Sequence, residues 1–207
     1  MPLLDDGPDI DMVRRLVAED STIRGMWCVP KFSNPTGAVY SDEVIEALAS
    51  MQTAASDFRL FWDDAYTLHH LTPDAIEIAN IYEACVRHGH RDRVLVFGST
   101  SKMTFAGAGL ALFGSSRTNV VWWLRYASIR SVGPDKLNQL RHVRYLTELD
   151  GLKTLMAGHQ RMLAPRFSAV LGQLDTGSSV FTHYVSIVAA RNGAKSLGYG
   201  LFCDHLI

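Results

Sequence analysis

Over its first 116 or so residues the chain alternates short apolar runs with stretches in which apolar positions recur every three or four residues. Residues 25–32 (GMWCVPKF) form the first run, closed by Ser33, Asn34, Pro35, Thr36 and Gly37, a strong turn signal. Ser41 then reads as a helix N-cap, with Asp42 and Glu43 in the first turn and Val44, Leu48, Met51 and Ala55 along one face. Residues 59–62 (RLFW) are the next run, broken by Asp63 and Asp64. Thr72, Pro73 and Asp74 predict a second helix start, with Ala75, Ile78, Tyr82 and Cys85 on one face and Gly89 after its end. A third run, residues 93–97 (RVLVF), leads into Gly98, Ser99, Thr100, Ser101 and Lys102, and residues 110–113 (LALF) predict a fourth strand.

This order predicts an α/β fold, a mainly parallel sheet covered by helices and followed by a helical segment. Beyond Thr118 the pattern is helical. Pro134 can open a helix, and Leu152, Met156, His159, Leu163, Phe167, Val170 and Leu174 keep helical spacing for six turns, with Pro165 expected to kink or interrupt them. After Gly177 the one legible feature is a strand-like stretch at 180–189.

Composition narrows the class without naming a chemistry. Of 207 residues, 47% are apolar, which excludes intrinsic disorder. Twenty basic residues balance 21 acidic ones, so no polyanion-binding surface is implied and no nucleic-acid partner is expected. The apolar run at 119–124 is far too short to span a bilayer, and Arg125 follows it, so no membrane partner is expected either. Residues 1–11 carry four acids and no base, unlike a secretory or mitochondrial leader. Cys28, Cys85 and Cys203 are odd in number and far apart, as expected of reduced thiols in a cytoplasmic protein.

Ligands of open parallel sheets bind beyond the carboxyl ends of the strands. Asn34 follows the first predicted strand, Asp63 the second and Lys102 the third, at separations of 29 and 39 residues that each fit one strand-plus-helix unit. An amide, a carboxylate and an amine should therefore meet at one sheet edge. A lysine can form an imine with an aldehyde, and a carboxylate facing a pyridine nitrogen keeps it protonated, which is the protein's recurring contribution in pyridoxal phosphate enzymes. Tyr66, three residues after Asp63, is placed to contact the same cofactor; Ser99 offers a hydroxyl for a phosphate; Asn34 offers a hydrogen bond to the ring oxygen.

Other features read more plainly. His69 with His70, and His88 with His90, fit no closed zinc spacing, so no metal is expected. Gly107, Ala108 and Gly109 lack the third glycine of a dinucleotide fingerprint, since position 112 is Leu112. Trp122, Trp123 and Tyr126 suit helix packing or subunit contact, and Cys28 suits the core.

Taken in order and spacing, Asn34-Pro35-Thr36-Gly37, Asp63-Asp64-Ala65-Tyr66 and Ser99-Thr100-Ser101-Lys102 resemble class I aminotransferases of fold type I. The stretch from Phe105 to Gly109 is most similar to a bacterial, aspartate-aminotransferase-like branch, and the resemblance covers residues 5–175. It implies that Lys102 carries the Schiff base of pyridoxal 5'-phosphate and shuttles the substrate's alpha proton. By the same carry-over Asp63 pairs with the pyridine nitrogen, Tyr66 and Asn34 touch the ring oxygen, and Ser99 touches the phosphate. Asp64 is expected on the opposite face of its strand. The implied substrates are an amino acid, aspartate-like, and a 2-oxo acid, and the implied assembly is a homodimer.

The resemblance has gaps. Where many relatives carry a phosphate-pairing arginine about eight residues after the lysine, this chain has Gly109 and Leu110. Backbone amides of residues 107–109 are the expected substitute. The family's upstream phosphate-cradling segment and its small C-terminal domain have no counterpart here, so a fragment is expected. Residues 1–176 then form a partial cofactor-binding large domain with trailing helices, and 177–207 a divergent tail. The competing expectations are a non-catalytic remnant that only binds cofactor or a partner, and a lyase or decarboxylase using the same cofactor.

Overall fold

The computed structural model describes residues 2–175 apart from Pro35, Pro73 and Ala106. The strand-like stretch at 180–189, the tail from 177 and Cys203 lie outside the described residues. Strands β1 (Leu3–Leu4) and β2 (Gly7–Pro8) pair as a small antiparallel ribbon ahead of helix α1 (Ile10–Glu19). The four-stranded sheet has the order β3 (Gly25–Cys28), β4 (Arg59–Asp63), β5 (Val94–Ser99) and β6 (Ala111–Gly114). The pairs β3–β4 and β4–β5 are parallel, whereas β6 runs antiparallel to β5. Residues 100–110 are too few for a crossover helix, so β6 can only return beside β5 in the opposite sense.

Helices α2 (Asp42–Ser50) and α3 (Ile81–Arg87) connect the parallel strands. Ser41 caps α2 as its sequence predicts, its side chain accepting the Val44 N–H. The expected helix from Thr72 is corrected: α3 starts only at Ile81, capped by Asn80, whose side chain accepts the Tyr82 and Glu83 N–H groups. The preceding segment is held across α2 instead, with the Ala79 N–H donating to Asp42 Oδ1 at 3.0 Å. Helix α1 carried no sequence expectation, yet Asp9 caps it by accepting the Met12 N–H.

One face of the sheet is the core. Cys28, Leu60, Trp62 and Val94 pack there against Val13 and Val17 of α1, Ile45 and Leu48 of α2, and Ala84 and Cys85 of α3. Cys28 is fully buried, and burial pushes its thiol up to about 12, so it is inert packing, as expected. Leu48→Ala, at a position with no exposure, should lower unfolding free energy by about 2–5 kcal/mol, seen as a shifted urea midpoint at unchanged m-value.

The opposite face carries Trp27, Phe61 and Phe97 as a cluster of near-parallel rings, each pair of centroids between 5.6 Å and 6.3 Å apart. Trp27 remains 61% exposed. Helix α4 (Arg117–Arg130) lays Trp123 on Phe113, centroids 5.7 Å apart. Trp122 and Tyr126 pair with each other and stay half-exposed. Helix α5 (Lys136–Leu146) is capped by Asp135, so Pro134 lies just outside it. Helix α6 (Leu149–Asp175) contains Pro165, so of the expected kink or interruption the interruption does not occur: proline removes one N–H and the flanking turns carry the rest. Among the described residues no helix is long and apolar enough to cross a membrane.

Candidate active site

Because β3, β4 and β5 are mutually parallel, the segments after Cys28, Asp63 and Ser99 all leave the sheet at one edge. The first makes a tight turn. Gly37 N–H donates to the Ser33 carbonyl at 2.5 Å with φ at +75°, a conformation that favours glycine. Asn34 sits in this turn with its Oδ1 buried and without a hydrogen-bond partner among the described residues, so its carboxamide has bonding capacity left for a ligand.

Asp63 is the last residue of β4, in register with Phe97, and its side chain falls on the aromatic face with Phe61. Asp64 falls on the other face, in a cavity that also includes Lys31, His70 and Glu77. Lys31 is 4% exposed and donates to the Thr67 carbonyl at 2.8 Å; burial pulls its amine below the ordinary lysine range, while Glu77 and Asp64 oppose that shift. The two adjacent carboxylates therefore serve different surroundings.

Ser99 closes β5, inside the strand rather than after it. Its hydroxyl donates to Ser101 Oγ at 2.8 Å and accepts the Ser101 N–H at 3.0 Å, a hydroxyl-lined turn just ahead of Lys102. Gly109 packs on this turn so closely that an added Cβ would stand 2.1 Å from Ser101 Oγ. Of the amides of residues 107–109 expected to face an anion, Ala108 donates to the Phe105 carbonyl, which among the described residues leaves those of Gly107 and Gly109 for that task.

Lys102 reaches across to β4's trailing segment. Its Nζ donates a short hydrogen bond to the Tyr66 hydroxyl and lies 4.0 Å from the centre of the Tyr66 ring. Tyr66 is buried, so the amine is anchored by a phenol that cannot swing away. No hydrogen bond links Asp63, Ser99 or Asn34 directly to Lys102 among the described residues; they share its sheet edge, not its contacts.

His69, weighed in the sequence only as a metal ligand, is 1% exposed and donates from Nε2 to the Lys102 carbonyl at 3.2 Å. Its ring stands edge-on to Tyr66, centroids 5.5 Å apart. Burial, helped by the positive charge of Lys102, pulls His69 down to about 4, so it is neutral at pH 7. The native state then binds fewer protons than the unfolded chain between pH 6.5 and 4, and stability falls as pH drops through that window, by up to about 3 kcal/mol. His69→Gln keeps a donor but cannot titrate, so urea unfolding from pH 7 to 4 should show a flatter loss in the variant. An unchanged slope would mean that His69 does not set it. Among the described residues no group of three His, Cys, Asp or Glu side chains could hold a metal ion.

Comparison with known proteins places this fold in a family. A family profile described as aspartate amino-transferase matches residues 1–194. A protein of Mycolicibacterium smegmatis assigned as an aminotransferase is 49% identical over 175 residues, 84% of this chain and 41% of that protein. The crystal structure of an aspartate transaminase from Corynebacterium glutamicum superposes with a TM-score of 0.81 at 44% identity, over 84% of this chain and 41% of that one. An alpha-aminoadipate aminotransferase from Thermus thermophilus, complexed with N-(5'-phosphopyridoxyl)-L-leucine, shares the fold with a TM-score of 0.71 at 22% identity, over 84% of this chain and 43% of that one. The chain thus spans about two fifths of the length of the relatives it matches. With residues 1–194 of 207 matched by one profile, and the same fold in solved relatives, the chain belongs to the aspartate aminotransferase family.

Proposed function

We propose that this chain is the lysine-bearing part of a pyridoxal 5'-phosphate-dependent aminotransferase, which passes an amino group from an aspartate-like amino acid to a 2-oxo acid. The observation that carries the reading is the Lys102 amine held on the buried Tyr66 hydroxyl, three residues beyond Asp63, at the edge where three parallel strands end. Bound there, the cofactor supplies an aldehyde carbon for amine exchange and a protonated ring that withdraws electrons from the substrate's alpha carbon.

The residues suit the ring end of that group. Asp63 is the acid for the ring nitrogen, the Asn34 side-chain amide N–H is the donor for the ring oxygen, and Tyr66 has a phenol already engaged with the amine. Lys102 Nζ is the amine that bonds the aldehyde and, once released, holds and moves the alpha proton. Tyr66 keeps that nitrogen near one position between the two tasks. Ser99 and Ser101, with the amides of Gly107 and Gly109, are the groups left for the phosphate, because Gly109 and Leu110 stand where many relatives have an arginine.

The intact enzyme on this reading is a homodimer in the cytoplasm, and the half-exposed aromatic face suits a subunit contact beside the site. The test is to add pyridoxal phosphate to the intact chain, reduce with borohydride and map the adduct by peptide mass. Modification concentrated at Lys102 is the expected result. An adduct without amino transfer to a 2-oxo acid would favour a domain that binds cofactor without turnover.

A further inference from the structure

Lys102 sits in a loop whose two ends are tied together by Thr100 and Leu110. Thr100 N–H donates to the Leu110 carbonyl at 2.9 Å, and Leu110 N–H donates to Thr100 Oγ1 at 2.7 Å. The Thr100 carbonyl in turn accepts from Met103 and Thr104 N–H groups, both at 2.9 Å, and from the Thr104 hydroxyl at 3.0 Å. Helix α5 reaches this neck with two buried side chains. Asn138 Nδ2 donates to the carbonyls of Ala108 at 2.8 Å and Gly109 at 3.4 Å. His142, 3% exposed, places Nε2 at 2.9 Å from Thr100 Oγ1 and 3.1 Å from Thr104 Oγ1, and Nδ1 at 2.9 Å from the Asn138 carbonyl.

The direction of every proton in this network follows from what each group can do. A carbonyl only accepts, so His142 Nδ1 carries the hydrogen and donates to Asn138; in the neutral ring Nε2 can then only accept. Thr104 spends its one hydroxyl proton on the Thr100 carbonyl. Thr100 is therefore the donor to Nε2, and its oxygen, with that proton pointed at His142, turns a lone pair to the Leu110 N–H. Removing the histidine acceptor frees the hydroxyl to rotate, and the neck loses the fixed orientation of one of its two ties.

We propose that His142 is a positioning residue for Lys102, acting through the Thr100 hydroxyl to hold the lysine loop in the geometry that presents Nζ to Tyr66. The proposal rests on the reading of Lys102 as the cofactor-bonding amine. It is tested on the full chain with pyridoxal phosphate and borohydride, scoring labelling of Lys102 relative to exposed Lys153 within one sample, with thermal melting measured alongside.

His142→Ala and Thr100→Val should each lower the Lys102 to Lys153 ratio by about fivefold, the scale of one ordinary net hydrogen bond. The double variant should fall no further than the worse single one. His142→Gln should recover most of the ratio, since its side-chain oxygen can accept the Thr100 proton. Should His142→Ala fail to fold, Thr100→Val and His142→Gln carry the comparison alone. Unchanged ratios in folded Thr100→Val, or losses that add in the double variant, would overturn the role of His142 while leaving Lys102 as assigned. A ratio near one in the wild-type chain would instead sink the assignment of Lys102, and this proposal with it.

Discussion

Lys102→Ala should leave no borohydride-reducible adduct at this site, and in the intact enzyme it should cut transamination by at least about 10³-fold. General acid–base transfer alone is commonly worth 10²–10⁴-fold, and the same substitution also removes the bonding amine. The fold should tolerate the change, because Lys102 is exposed and, among the described residues, its side chain hydrogen-bonds only to Tyr66, which stays packed against His69. Loss of activity at an unchanged melting temperature is therefore the expected pair of results. Lys102→Arg should not rescue, since a guanidinium stays protonated at any working pH and cannot form the same bond. A variant still labelled to the wild-type extent, with the adduct mapped to another lysine, would remove Lys102 from the chemistry.

The second large effect concerns the two adjacent carboxylates. Asp63→Ala should reduce turnover by about 10²-fold or more, the usual scale for deleting a group that stabilises charge in the reacting state. Asp64→Ala should leave turnover within a few fold, because its side chain is on the far face of β4, in the cavity with Lys31. Its cost should appear in stability instead, where the buried Lys31 loses a nearby negative charge. The two positions are adjacent at the end of β4, so a general disturbance of that strand end would affect both variants alike. Full turnover in Asp63→Ala, or equal losses in both, would mean that the ring nitrogen has another partner.

The main elements of the fold were legible because they rest on local rules. Alternating apolar runs mark β3, β4 and β5, Ser41 marks the start of α2, and period-two alternation assigns Asp63 and Asp64 to opposite faces before any coordinates are known. Errors occurred where a distant contact outweighed a local signal. Thr72, Pro73 and Asp74 have the chemistry of a helix start, but the Ala79 bond to Asp42 holds that segment straight until Asn80 caps α3. At Pro165 the opposing influence is local instead: the helical spacing on both sides carries α6 through it without an interruption.

The same division holds at the site. Which residue types stand at the three strand ends, and that they belong to the aspartate aminotransferase family, is written in the order of the chain, since strand–helix units of ordinary length must return those ends to one edge. What surrounds them is not. His69 under the Lys102 carbonyl, the Tyr66 phenol on its amine, and His142 reaching from α5 to Thr100 are contacts between residues 33, 36 and 42 positions apart. No periodicity records such pairings, because they depend on how helices and loops settle against the sheet, and only the packed structure decides that.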